Sequence, residues 1–120
     1  MALVHPTAVV GPETLVGDGV LVMGQAHVSS SVQLGDHVQV QYGATVGHDS
    51  VLERGAIVLP GANVAGGVHL GERVTVGSGA VVLQGVSVGE AAVIGAGSVV
   101  IRDVPAGVVV VGAPARALER

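Results

Sequence analysis

Branched aliphatic residues return along this chain every six positions. Stepping from Val4 gives Val10, Val16, Val22, Val28, Leu34, Val40, Val46, Leu52, Val58, Val64, Leu70, Val76, Val82, Val88, Ile94 and Val100. All seventeen are Val, Leu or Ile, where composition alone would place about six. At the fifth place of each hexad stands Ala, Ser, Thr or Val without exception, from Ala8 to Val104. The frame does not slip between Val4 and Pro105. Neither the 3.6 period of an amphipathic helix nor a simple alternation of two accounts for a strict six.

Charge obeys the same frame. Between Val4 and Pro105 every Asp, Glu and Arg falls on place two, three or four of its hexad. Those places form a wet corner, and places five, six and one form a short strand. Strand alternation then points five and one inward and six outward. Glycine is dense at places two and four (Gly11, Gly17, Gly19, Gly43), where tight corners with φ > 0 favour it. So short a strand cannot bury a face alone and must stack on copies of itself.

The pattern [LIV]-G-x-x-[STAV]-x resembles the hexapeptide repeat of left-handed β-helix acyltransferases, from Val4 to Arg116. The resemblance implies an all-β fold, a left-handed parallel β-helix with three hexads to each triangular coil. Seventeen hexads make five to six coils, a prism about 27 Å long at ~4.8 Å per strand spacing. The left hand comes from the family, since general crossover rules favour the right. The expected domain is single, over 1–120, with hexads over 4–105 and a strand and tail over 106–120.

Composition narrows the class. The chain of 120 residues has 20 Gly, one Tyr, no Phe and no Trp, so small side chains must fill the core regularly. Net charge is −4 and all five basic residues are Arg, against the basic stripe of a nucleic-acid surface. There is no Cys, hence no thiolate metal site or Cys nucleophile. MALVHPTAVV lacks a signal peptide's basic start and apolar run, and no Gly-poor uncharged run reaches a membrane span's length. A cytoplasmic protein is expected. Place six is uncharged throughout, from Val9 and Leu15 to Val99 and Pro105. Flat uncharged faces suggest packing between subunits.

With three hexads per coil, residues eighteen apart stack, and the column through His48 reads Pro12, Ser30, His48, Gly66, Gln84, Arg102. Corner glycine ordinarily falls at place two or four, and Gly66 is at three. It leaves room beside His48 and bares a backbone N–H, which with a base is what acyl transfer requires. His37 also has an acidic neighbour, Asp36, but lies under Gly55 at an ordinary place. His5 precedes Pro6 at the start, and His27 and His69 stand on flat faces. A solvated corner histidine is the alternative for His48.

The segments VGHDSV, GANVAGGVHLGE and VIGAGSVVIRDVPAGVVVVGAPAR resemble a family of sugar acetyltransferases. It includes sialic-acid O-acetyltransferases and nucleotide-activated amino-sugar N-acetyltransferases. The resemblance implies His48 as general base, supported by Asp49, and acetyl-CoA as co-substrate with no metal. It implies Gly66 N–H on the acetyl carbonyl and sets Val111 to Arg116 near coenzyme A. Gln84 and Arg102 continue the His48 column, and Arg102, roughly 14 Å along by strand spacing, is within reach of a cofactor phosphate, with Arg116 a second candidate. A solvated corner and a loose tail are the alternatives for the two arginines. Gln41 stands where the family often has Asn, and Ile57 where it has a second histidine, so both are expected at the acceptor. The family forms trimers with sites between adjacent prisms. It usually carries an N-terminal α/β domain for the sugar nucleotide, and here the chain begins at the first coil. That surface is expected from a partner or from further chain, unless the acceptor differs.

Other classes fit less well. Histidine spacings of 22, 10, 11 and 21 do not supply a γ-class carbonic anhydrase zinc set. Only Thr45 and Thr75 put Thr on place six, against an ice-binding ladder. A non-catalytic β-helix scaffold or partner subunit is the remaining alternative, as is an acyltransferase for a non-sugar acceptor.

Overall fold

The computed structural model describes residues 1–118. Every hexad forms a two-residue strand at places six and one, from Leu3–Val4 to Val99–Val100. Val109–Val111 and Arg116–Ala117 follow, and the described residues contain no helix. None, therefore, is long and apolar enough to cross a membrane.

The chain winds as a left-handed parallel β-helix of about six coils. The first sheet stacks Leu3–Val4, Leu21–Val22, Gln39–Val40, Ile57–Val58, Thr75–Val76, Val93–Ile94, Val109–Val111 and Arg116–Ala117. The second runs from Val9–Val10 through Thr45–Val46 to Val99–Val100, the third from Leu15–Val16 through Val51–Leu52 to Ser87–Val88. Hexad partners lie eighteen residues apart, as in Thr45↔Asn63 and Val46↔Val64. The stack ends where Arg116–Ala117 pairs antiparallel with Val110–Val111. The molecule measures 41 × 21 × 21 Å. Part of the excess over the ~27 Å expected from hexads comes from the last two strands, which extend the first sheet to eight strands and about 34 Å.

Inside and outside follow the sequence pattern. Every place-one residue from Val22 to Val100, and every place-five residue from Val20 to Val104, is buried. The core is aliphatic throughout, with Leu52, Leu70 and Ile94 its largest fully buried side chains. An alanine ladder (Ala26, Ala44, Ala62, Ala80) serves the second sheet, and a leucine ladder (Leu34, Leu52, Leu70) fills the third. Like stacked on like gives each coil the same cross-section, so the packing repeats without voids.

The corners separate two roles of glycine that the sequence pattern merges. Place four has positive φ at every hexad from Glu13 (60°) to Gly97 (70°), including His37, Asp49 and Arg73. This is the third residue of a type II turn, closed by bonds such as Ala44 N–H to the Gln41 carbonyl at 3.0 Å. Place-two glycines do not have positive φ, contrary to the expectation above. They are there because the next coil passes too close. A Cβ on Gly47 would stand 2.4 Å from Gly66 N, and one on Gly71 2.8 Å from Glu90 N.

The two roles predict different costs. Gly71→Ala should overpack and lose about 1–3 kcal/mol. Gly79→Asn, with φ of 69° and open space around its Cβ, should lose less than 1 kcal/mol, because Asn tolerates this region. Urea unfolding of both variants measures the difference, and equal losses would contradict the assignment.

Candidate active site

The three edges of the prism carry different chemistry. The edge between the first and second sheets holds no Asp, Glu or Arg. The edge between the third and first collects Asp18, Asp36, Glu53, Arg54, Glu72, Arg73 and Glu90. The edge between the second and third carries His48.

His48 occupies place three of its corner, between Thr45–Val46 and Val51–Leu52. Its Nδ1 lies 2.9 Å from Asp49 Oδ2. Asp49 reaches it because place four is left-handed, with φ of 61°. The carboxylate can only accept, so it holds the proton on Nδ1 and leaves the Nε2 lone pair open. The pair is exposed, at 59% for the imidazole and 69% for the carboxylate.

Gly66 lies one coil on, and its lack of a side chain is required. A Cβ there would be 2.8 Å from His48 Nε2 and 3.0 Å from Cε1. The ring itself therefore takes the space that the sequence reading left for a thioester. Nε2 is directed over the Gly66 backbone, where the N–H expected at an acetyl carbonyl resides.

Ser50 was missed from sequence, being read only as a small core residue. It is fully buried, and its hydroxyl donates to the Ala65 carbonyl at 2.9 Å. It also accepts from Val68 N–H at 3.2 Å. In other corners those two backbone groups bond each other, as Ala62 N–H does to the Leu59 carbonyl. Ser50 thus inserts into the turn that carries Gly66 and ties it to the coil that carries His48. Thr14 does the same to the corner at Ser30. A Ser or Thr at place five is the signal in both.

Gln84 and Arg102 continue the column one and two coils beyond Gly66, and both are exposed. Arg102 and Arg116 come together at a pocket of about 210 Å³ beside Asp103, floored by Val100, Val104 and Val110. Gln41 and Ile57 are not brought to His48 within one chain. Ile57 lies on the first sheet, beside Gln39, and Gln41 begins the uncharged edge, with its Nε2 donating to Gln39 Oε1 at 3.0 Å.

The other histidines have separate settings. His37 folds back over Gly19, whose Cβ would stand 2.4 Å from its Nδ1, rather than under Gly55. His69 pairs with Glu53, and His27 is exposed on the second sheet. His5 bonds Thr7 Oγ1 at 2.9 Å. No group of three potential ligands for a metal ion occurs among the described residues.

Residues 13–48 and 49–84 each match the family described as bacterial transferase hexapeptide (six repeats). The fold closely matches perosamine N-acetyltransferase from Caulobacter crescentus, solved as a histidine mutant with CoA and GDP-perosamine. The TM-score is 0.99 at 38% identity, over 100% of this chain and 57% of that one. The acetyltransferase domain of PglB from Neisseria gonorrhoeae gives 0.97 at 39%, over 98% and 58%. WeeI from Acinetobacter baumannii gives 0.95 at 32%, over 98% and 58%. The chain thus spans a little over half the length of these neighbours. No curated protein matches significantly.

The Asp49 contact makes a spectroscopic prediction. In ¹⁵N spectra at a pH where His48 is neutral, its ring should be the Nδ1–H tautomer. Asp49→Ala should move it toward Nε2–H, the form free imidazole side chains prefer. An unchanged nitrogen pattern would show that the carboxylate does not set the tautomer.

Proposed function

The chain belongs to the bacterial transferase hexapeptide family, and on that footing we propose that it is an acetyltransferase. It moves the acetyl group of acetyl-CoA to an amine of a sugar or sugar nucleotide. The observation that carries this is the juxtaposition at one corner: His48 held by Asp49 at 2.9 Å, with Nε2 directed over a glycine that cannot be replaced without displacing it. A base with a fixed tautomer beside a bare backbone donor suits acyl transfer. The neighbour solved with CoA and GDP-perosamine, an N-acetyltransferase, supports the amine over the hydroxyl. The PglB domain has also been solved in complex with acetyl coenzyme A, which supports the donor.

In the proposed step the acceptor nitrogen attacks the thioester carbonyl as His48 Nε2 takes its proton. The C–N bond forms, and the Gly66 N–H stabilises the oxyanion of the tetrahedral adduct. The C–S bond then breaks, and the imidazolium returns the proton to the departing thiolate. Coenzyme A would lie along the column past Gln84, with Arg102 and Arg116 at its phosphates. Two cations at one pocket support that placement.

Gln41 and Ile57 lie across the prism from the His48 edge, so they reach an acceptor at His48 only from a second copy. A homotrimer with grooves between prisms provides this, and the uncharged, partly exposed Leu3, Val9, Leu15 and Val93 suit such packing. A cytoplasmic location fits a protein that draws on acetyl-CoA.

The test is acetyl transfer from acetyl-CoA across a panel of amino sugars and their nucleotide derivatives, followed as released CoA thiol. His48→Ala should lower kcat about 10²–10⁴-fold with little change in KM for acetyl-CoA. Arg102→Ala should instead raise that KM. Near-full turnover by His48→Ala would overturn the assignment. Absence of turnover by the parent chain across the whole panel would favour the scaffold.

A further inference from the structure

The corner at Gly66 departs from the regular ones in a single hydrogen bond. In a regular corner the place-five N–H closes on the place-two carbonyl of the same turn. Ala44 N–H does so on Gln41 at 3.0 Å, and Val86 N–H on Leu83 at 3.3 Å. At Gly66 the equivalent groups are Val68 N–H and the Ala65 carbonyl, and Ser50 of the preceding coil stands between them. The direction of this chain is forced. An amide N–H only donates and a carbonyl only accepts. The hydroxyl therefore accepts from Val68 N–H at 3.2 Å and donates to Ala65 at 2.9 Å.

The Ala65 carbonyl and the Gly66 N–H are the two ends of one peptide unit. That unit is planar and trans, so its C=O and N–H point in opposite directions. Ser50 is fully buried, so a carbonyl aimed at it turns the N–H of the same unit away from the core. His48 Nε2 lies on that outer side, 2.8 Å from where a Cβ on Gly66 would stand. The rest of the turn is pinned. Gly67 N–H donates to the His48 carbonyl at 2.8 Å, and the Gly66 carbonyl accepts from Gly85 N–H at 3.1 Å. Gly66 N–H has no backbone acceptor among the described residues. It is the free end of a chain of three donors: Val68 N–H, Ser50 O–H and Gly66 N–H.

We infer that Ser50 is a positioning residue for acetyl transfer: its hydroxyl aims and polarises the peptide whose N–H receives the oxyanion. This deepens the acetyltransferase reading above and rests on it. One effect is geometric. With an oxygen inserted, the place-two and place-five groups no longer bond each other, so Ser50 sets the tilt of the Ala65–Gly66 unit. The other is electrostatic. A bond at the carbonyl end draws electron density from the amide nitrogen and makes the N–H at the far end a stronger donor, by ~10–30% per link. These dipoles are already aligned when charge builds on the acetyl oxygen, so no solvent has to reorient. Thr14 makes the same insertion between Ser29 and Val32, so the device also folds where place three is Ser30 and no base stands over it. Particular to Ser50 is that its peptide ends beside His48.

Ser50 stands between Val32 and Val68 in its own inward column, so branched side chains are accepted on either side of it. Three variants of the full chain then separate hydroxyl from shape. Ser50→Thr, which keeps the hydroxyl as Thr14 does, should retain the parent kcat and the parent Gly66 amide resonance. Ser50→Val has the shape of Thr without the hydroxyl. It should lower kcat about tenfold, short of the roughly 10²–10³-fold cost of deleting an oxyanion donor, with KM for acetyl-CoA held. Its Gly66 amide ¹⁵N should move upfield as the Ala65 carbonyl exchanges the hydroxyl for Val68 N–H. Ser50→Ala should match Ser50→Val, and it decides the case where Val lowers the unfolding midpoint. Parent kcat in folded Ser50→Val or Ser50→Ala overturns the inference. So does a loss in Ser50→Thr equal to that in Ser50→Val, or a Gly66 resonance that removal of the hydroxyl does not move. Absence of turnover by the parent chain overturns the acetyltransferase reading itself. An active parent with indifferent Ser50 variants overturns the role of Ser50 alone.

Discussion

No hexad strand from Leu3–Val4 to Val99–Val100 bonds to another in its own coil; its hexad partners lie eighteen residues along the chain. Thr45 N–H donates to the Ala62 carbonyl at 2.9 Å and Gly47 N–H to the Val64 carbonyl at 2.7 Å, and the same spacing recurs from coil to coil. Buried backbone groups must be paired, so a change of coil length within the hexad stack would shift the register of every coil that follows, and the shorter step, Val93↔Val109, comes only at the end of the stack. The strict six, the absence of aromatic core residues and the left-handed residue at place four follow from that one requirement. Each coil must match the cross-section of the next, and small branched side chains stacked on themselves do so.

The corners are where the constraint relaxes. Places three and four are at least partly open to solvent, so each edge can specialise without disturbing the ladder. One edge gathers charge, with Arg73 bonded to Glu90 and also close to Glu72. Exposed pairs of this kind add little stability, and they serve mainly to keep that edge wet. A second edge holds the histidine–aspartate pair, and the third is uncharged and carries the lone tyrosine. Function is thus distributed around the prism while stability runs along it.

The repeat was legible because it is one-dimensional: a side chain at place one or five is buried by its frame alone, whatever its neighbours. His48 and Gly66 were legible for a related reason, since stacking at eighteen makes a column readable in sequence. What sequence could not separate were effects that depend on distance between coils. Gly47 and Gly43 look alike in the hexad, yet one avoids a collision and the other adopts a backbone angle. Ser50 reads as a small core filler, although its hydroxyl replaces a backbone bond in the next corner. His37 turns back toward Gly19 and His48 leans forward over Gly66, a difference in side-chain direction that no spacing encodes.

The reversal at the end of the stack has a consequence of its own. A parallel ladder that stops simply presents a row of free amides and carbonyls, a template on which another chain can grow. Here Arg116–Ala117 runs against Val110–Val111, and Leu118 N–H donates to the Val109 carbonyl at 2.8 Å. A strand of opposite polarity cannot seed a further coil in the same sense. A short segment after the last hexad therefore closes the parallel ladder of the first sheet, in a fold whose every other coil is built to be continued.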